Sequence, residues 1–155
     1  RLRNEYCPQA KISVLSNSTF IHRPKIHEAL SKVDNNILKL DTISPSYINK
    51  VDRPVQPSYD VNRIIAGIKA FNGQAIIQTM FLKGTTEGGE DVDNTSESFI
   101  APWLEAVKEI APREVMIYTI DRETPDRFLR KATHEELDAI RDRVVALGIP
   151  CTASY

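Results

Sequence analysis

A lysine and an aspartate two residues apart give this sequence its first chemical signal. They stand in "NILKLD", where Lys39 lies between Leu38 and Leu40 and Asp41 follows. Residues at i and i+2 share one face of a strand, so Leu38 and Leu40 take one face. Lys39 and Asp41 take the other, roughly 7 Å apart along the chain. A lone charge in a buried strand is costly, and the opposite charge two residues on compensates it. The pair could line a polar ligand site, or Lys39 could serve as a Schiff-base or general-base amine beside Asp41. The run "QAIIQTMFL" repeats the arrangement, with Ile77, Thr79 and Phe81 on one face and Gln78 and Met80 on the other. Polar inward positions on neighbouring strands point to a polar cavity rather than an aliphatic barrel core.

Other chemistries lack their residues. His22, His27 and His134 have no Cys or carboxylate at metal-ligand spacing and read as surface histidines. "TTEGGEDVD" has no Walker lysine and opens no helix. Its acids do not follow the EF-hand spacing. No Gly-x-Ser-x-Gly elbow occurs, and neither cysteine has a partner base evident in the sequence. Metal ligands are therefore assigned to no residue, and no residue is singled out as catalytic.

Two apolar runs with inward polar residues require a sheet, and the order of elements says which kind. The 155 residues suit one domain, with 41% hydrophobic and 26% charged residues. "KISVLS" (11–16) reads as a strand. "RPKIHEALSKV" reads as a helix whose Ile26, Ala29, Leu30 and Val33 share a face, with Pro24 in its first turn. Strand 36–41 follows, then a connection over 42–57 holding three prolines, expected to be a surface loop. Ser58 precedes a helix that presents Val61, Ile64, Ile65, Ile68 and Phe71, closed by Asn72-Gly73. Strand 74–82, an acidic loop, and a helix bearing Ile100, Trp103, Leu104, Val107 and Ile110 come next. Strand 114–120 leads through a polar loop to a capping box, Thr133 with Glu136, and a last helix before "IPCTA".

Alternating strands and helices imply a parallel sheet. This fits an open doubly wound sheet or the second half of a (β/α) barrel. In either, ligand chemistry gathers at the carboxyl ends of the strands. Those ends read Ser16-Asn17-Ser18, Asp41-Thr42, Lys83-Gly84 and Asp121-Arg122. The net charge of −1 gives no sign of a general nucleic-acid or membrane-surface binder. Two cysteines, the absence of a signal peptide and the lack of a bilayer-length apolar run indicate a cytoplasmic protein. The first residue is Arg rather than Met, so the chain is expected to be a piece of something larger.

The stretch "SVLSNSTFIHRPKIHEALSKVDNNILKLDTISPSYINKVDRP" resembles the middle of radical S-adenosylmethionine (radical SAM) iron-sulfur oxidoreductases. It is most like the branch that includes the wyosine-forming tRNA enzymes. Ser16-Asn17-Ser18-Thr19 is similar to that branch's "TNST" turn, Leu40-Asp41-Thr42 to its "LDA" or "LDT" strand end, and Asn49 to Pro54 to its "INRP" segment. "EVMIYTIDRETPD" looks like the sixth strand and its Arg-bearing loop.

The resemblance implies an α/β fold, a parallel sheet with helices on one face, part of a (β/α)6 partial TIM-like barrel. It implies a single domain over 1–155 that begins at the third strand. The cofactors would be S-adenosylmethionine and, in the full-length parent, a [4Fe-4S] cluster. By the same resemblance Ser16, Asn17, Lys39, Asp41, Gln78 and Tyr118 face the cofactor, and Thr119 and Arg122 face an unknown substrate, for which RNA and protein are both candidates. The family's Cys-x3-Cys-x2-Cys loop and its Gly-Gly-Glu motif are missing, and "EGGE" at 87–90 lies too late in the chain to supply the latter. The cluster ligands are therefore expected in an N-terminal remainder of the same protein. Two other classes stay open: a stand-alone aldolase-like enzyme using Lys39 and Asp41, and a non-catalytic binding module.

Overall fold

A computed structural model describes residues 2–55, 59–124 and 126–155. In chain order the elements are α1 (Leu2–Tyr6), β1 (Ser13–Ser16), α2 (Pro24–Leu30), β2 (Asn35–Lys39), α3 (Pro45–Tyr47) and a π turn (Ile48–Asp52). There follow α4 (Val61–Lys69), β3 (Ile76–Met80), β4 (Leu82–Gly84), α5 (Glu97–Ile110), β5 (Glu114–Tyr118), β6 (Leu129–Lys131), α6 (His134–Ala146) and β7 (Cys151–Ser154). Five strands form one sheet in the order β1-β2-β3-β5-β7. Every pairing in it is parallel.

The two faces of the sheet have different fates. Leu38, Leu40, Ile77, Phe81, Val115 and Ile117 join Ile64, Ile68, Trp103, Val107, Leu137, Ile140 and Val144 of the long helices in one core. Register puts Lys39 beside Gln78, Gln78 beside Met116, and Met80 beside Tyr118 on the opposite face. The helices thus cover one face, as expected for part of a barrel. On the other face, at the edge strand β1, Leu15 remains 63% exposed.

Local signals fix most element ends. Pro24 opens α2, and Thr133 and Glu136 close the capping box of α6. Asp60 caps α4 by accepting from the Asn62 N–H at 2.9 Å. Ser58, expected to precede that helix, lies outside the described residues.

Two expectations change. The connection 42–57 is not merely a loop: Ser44 caps a short helical turn, and the chain widens into a π turn that ends at Arg53 in the left-handed region (φ 45°). Strand 74–82 stops at Met80. The chain then bends, and β4 pairs antiparallel with β6 in a separate two-stranded sheet. Asn94 holds the bend. Its Oδ1 accepts from the Leu82 N–H (2.8 Å) and its Nδ2 donates to the Met80 carbonyl (2.9 Å). Of the histidines, His134 is exposed at the start of α6, as expected, while His22 and His27 are half-buried. His27 stacks on Phe71 with ring centroids 4.1 Å apart, and His134 packs against Tyr155.

Candidate functional site

Two cavities open side by side at the carboxyl ends of the strands. The first, about 510 Å³, is lined by Asn17, Thr19, Phe20, Lys39, Asp41, Thr42, the segment Val51–Val55, Tyr59 and Met80. The second, about 420 Å³, is lined by Leu82, Tyr118, Thr119, Ile120, Asp121, Arg122 and Leu129 among others. Val51 and Met80 line both and form the wall between them. Both volumes fall in the roughly 300–1,000 Å³ range of small-molecule sites.

Asp41 organises the first cavity. Its Oδ1 accepts from the Met80 backbone N–H at 2.8 Å, and its Oδ2 pairs with Lys39 Nζ at 3.2 Å. Asp41 is buried, while the Lys39 side chain keeps a third of its surface in water. Lys39 Nζ also donates to the Tyr118 hydroxyl at 3.4 Å, which links the two cavities. The peptide between the charged residues is pinned from the other face. The Leu40 carbonyl accepts from Thr79 Oγ1 (2.8 Å) and Trp103 Nε1 (3.1 Å). From the β1 side, the buried Ser18, itself at φ 66°, donates its hydroxyl to the Lys39 carbonyl at 2.9 Å.

The π turn brings a second carboxyl to this place. Asp52 lines the same cavity as Asp41. Burial and then the Asp41 charge raise the Asp52 carboxyl to about 7. Burial also raises Asp41, opposed by Lys39 and by the Met80 N–H. Burial lowers the Lys39 ammonium, but the pull of Asp41 and Tyr118 outweighs it and the net shift is upward.

The residues singled out in the sequence divide between these cavities. Asn17, Lys39 and Asp41 line the first; Tyr118, Thr119 and Arg122 line the second. Ser16 and Asn17 build the turn after β1: Ser16 Oγ accepts from the Ser18 N–H and Asn17 Oδ1 from the Thr19 N–H, both at 3.2 Å. Gln78 sits beside Lys39 in the sheet, and neither it nor Ser16 lines either cavity. Thr119 is buried, and its Oγ1 accepts from the Ala132 N–H at 2.8 Å. Sequence reasoning missed Asp52, Arg53, Tyr59 and Phe20. The first two lie in the proline-bearing connection, where no periodicity marks an inward face.

The fold has known counterparts. A domain of pyruvate-formate lyase-activating enzyme from Bacteroides vulgatus superposes with a TM-score of 0.64 and 13% identity over 93% of this chain and 82% of that one. A radical SAM methyltransferase from Sphaerobacter thermophilus gives 0.66 and 16% identity over 93% of this chain and 40% of the other. The chain shares its fold with radical SAM enzyme domains. No family model matches. Among curated proteins, a UPF0026 protein of Helicobacter pylori strain J99 is 31% identical over 132 residues, 82% of this chain and 39% of the relative. A UPF0026 protein of Synechocystis is 29% identical over 72% of this chain and 40% of its own length. The chain thus spans about two fifths of the curated relatives it matches.

Among the described residues no group of three or more His, Cys, Asp or Glu side chains could hold a metal ion. Cys7 is exposed and Cys151 half-buried, and both are free. The described residues therefore do not fit a cubane cluster. A small polar cofactor is different: the first cavity offers a cation, carboxyls, an amide and the apolar surfaces of Phe20, Tyr59 and Met80.

Proposed function

We propose that this chain forms the cofactor-facing part of a radical SAM iron-sulfur oxidoreductase and binds S-adenosylmethionine in the first cavity. One observation carries the reading: a paired lysine and aspartate line a cavity at the strand ends of a fold shared with radical SAM domains. When bound, S-adenosylmethionine supplies the 5′-deoxyadenosyl group that acts on the substrate in enzymes of this class. The chain's residues bind and orient it. Lys39 offers its ammonium to the cofactor's carboxylate, and Asn17 with Asp41 offers hydrogen bonds to polar groups. Phe20, Tyr59 and Met80 provide apolar surface for the adenine. The second cavity, with Thr119 and Arg122, takes the substrate, whose identity is open.

No step through a [4Fe-4S] cluster is assigned to these residues. Its ligands belong to the N-terminal remainder of the longer polypeptide, which on this reading pairs with the open edge of β1 and covers Leu15. The branch of wyosine-forming tRNA enzymes is the relationship proposed from the turn sequences. A Schiff-base role for Lys39 is disfavoured, since an amine nucleophile needs a lowered pKa and Lys39 is held charged.

Calorimetric titration of S-adenosylmethionine into the full-length protein tests the proposal. Saturable binding, weakened at least tenfold by Asp41→Ala and left intact by Leu15→Ala, is the expected result. Absence of binding in folded full-length protein, or borohydride trapping of a carbonyl ligand on Lys39, overturns it.

A further inference from the structure

A third cavity, about 220 Å³, opens beside the first and shares Thr19 and Tyr59 with it. The starts of α2 and α4 supply the rest of its polar lining, namely His22, Arg23, Asp60 and Arg63. Its chemistry is one-sided. Two guanidiniums, an imidazole and two hydroxyls can each donate a hydrogen bond, against one carboxylate that accepts. Among the described residues no acid lies within ion-pair distance of Arg23 or Arg63. The guanidinium carbon of Arg23 sits 4.1 Å from the centroid of the Phe20 ring. Stacking through its face leaves the edge of that guanidinium to donate. The carboxylate is already engaged: Asp60 Oδ1 accepts from the Asn62 N–H at 2.9 Å, as the cap of α4. His22 Nδ1 is buried without a hydrogen-bond partner. Burial, then the charges of Arg63 and Arg23, hold His22 below its ordinary pKa, so its ring senses both arginines.

We propose that this third cavity is an oxyanion site for a phosphate dianion, free or as the monoester of a small molecule, held by Arg23 and Arg63. Guanidinium forks match phosphate oxygens in pairs, and two of them balance a dianion where one would not. Donors spread around the cavity suit a tetrahedral anion with several acceptor oxygens better than a planar carboxylate. The volume is below the roughly 300–1,000 Å³ that encloses a whole ligand, so the cavity takes the anionic group alone. Both arginines are exposed, so the remainder of a monoester lies outside the cavity. A polynucleotide needs a broad basic surface, and the net charge of −1 does not provide one. The site stands whatever the first cavity binds. On the proposed function it serves a second ligand, since S-adenosylmethionine carries no phosphate.

Titration of the 155-residue chain followed by NMR at neutral pH and physiological salt tests the site. One arm uses inorganic phosphate and the other glycerol 3-phosphate. The anion should shift the His22 ring resonances saturably and leave those of His134, which does not line this cavity, in place. Arg23→Gln and Arg63→Gln should each weaken binding at least about tenfold, the worth of one hydrogen bond to a charged group. Lys25→Gln removes the same charge from α2 outside the cavity and should leave binding unchanged. Asp60→Asn keeps the helix cap and should tighten binding, because it removes the carboxylate. Tighter binding of glycerol 3-phosphate than of phosphate assigns the site to a monoester; equal or weaker binding assigns it to the free ion. No saturable shift of His22 in either arm, or equal losses in Arg63→Gln and Lys25→Gln, overturns the proposal. Unchanged melting temperatures of the exposed arginine variants separate lost binding from lost folding. Neither arm contains S-adenosylmethionine, so failure of the calorimetric experiment would remove the functional reading and leave this result intact.

Discussion

The indole Nε1–H of Trp103 donates to the carbonyl oxygen of Leu40, 3.1 Å away, from the helix-covered side of the sheet. Leu40 is the residue between Lys39 and Asp41, so a core aromatic on α5 helps fix the peptide that presents the charged pair. Trp103 is buried and meets Phe81 edge-on at 5.3 Å. Thr79 donates to the same carbonyl, so Trp103→Phe does not orphan it. This change should cost about 0.5–1.5 kcal/mol for the lost hydrogen bond. Trp103→Ala, which also empties the core, should cost about 3–5 kcal/mol. Urea unfolding followed by circular dichroism separates the two, since Trp103 is the single tryptophan and its loss removes the fluorescence signal.

Gly84 in β4 faces Leu129 of β6. Its φ is +110°, and a Cβ there would stand 2.1 Å from the Phe128 carbonyl oxygen, a backbone atom with no freedom to move aside. Gly84→Ala should therefore destabilise by at least about 2 kcal/mol and unzip β4 from β6. Gly89 also has positive φ but nothing within 4 Å of a Cβ, so Gly89→Ala should cost about 1–2 kcal/mol at most. Equal losses for the two variants in chemical unfolding would show that the close approach at Gly84 relaxes freely.

The sheet was readable because its inner strands are short alternating runs with a clear chemical difference between faces. Leu38 and Leu40 went to the core and Lys39 and Asp41 to the cavity, as a period of two requires. The capping box at Thr133 was equally plain, because a cap is a local rule. The bend at Phe81 was not readable. It depends on Asn94, which is distant in sequence and bonds both Met80 and Leu82. Asp52 was hidden for another reason. Its direction is set by a π turn within a proline-bearing connection, and no hydrophobic period reports a π turn. Phe20 and Tyr59 likewise stand in irregular backbone next to the cavity.

The two thiols should behave as unrelated groups. Cys7 is exposed, whereas burial pushes the Cys151 thiol up to about 12. At pH 8 a thiol reagent should label Cys7 quickly in the folded chain and reach Cys151 only on unfolding, because the thiolate is the reacting species. Reconstitution of the 155-residue chain with iron and sulfide should give no stoichiometric cluster. One cluster per chain would overturn the assignment of the cluster ligands to the remainder of the protein.

Stability should carry two opposed pH signals. Asp52 has a folded pKa raised to about 7, so its contribution is complete below its unfolded value near 4 and is lost as pH rises through about 7. Glu97 is lowered by its hydrogen bond from Arg143, and Asp34 by the Ile12 N–H. Their contributions are present above about pH 4 and are lost as pH falls below it. Thermal melts at fixed ionic strength should peak on the acid side of neutrality. Asp52→Asn should remove the decline between pH 5 and pH 7 and leave the acid limb unchanged.

Substitutions at Lys39, Asp41 and the leucines beside them separate binding from folding. Lys39 is one-third exposed and Asp41 can take up a proton once its cation is removed, so Lys39→Met should cost less stability than truncation of either neighbouring leucine. Leu38 and Leu40 are buried under the helices, and Leu38→Ala or Leu40→Ala should each cost about 2–5 kcal/mol. Asp41→Ala is intermediate. It frees Lys39 toward water but strands the Met80 N–H, worth about 1–3 kcal/mol where the group stays dry. On the proposed function, Asp41→Ala in the full-length protein should lower affinity for S-adenosylmethionine by more than that folding cost implies, because Asp41 holds Lys39 as well as facing the cavity. Chemical unfolding and calorimetric binding on the same samples make the comparison. Normal affinity in Asp41→Ala, or a loss at Lys39→Met as large as at Leu38→Ala, would show that the pair serves the fold and not the ligand.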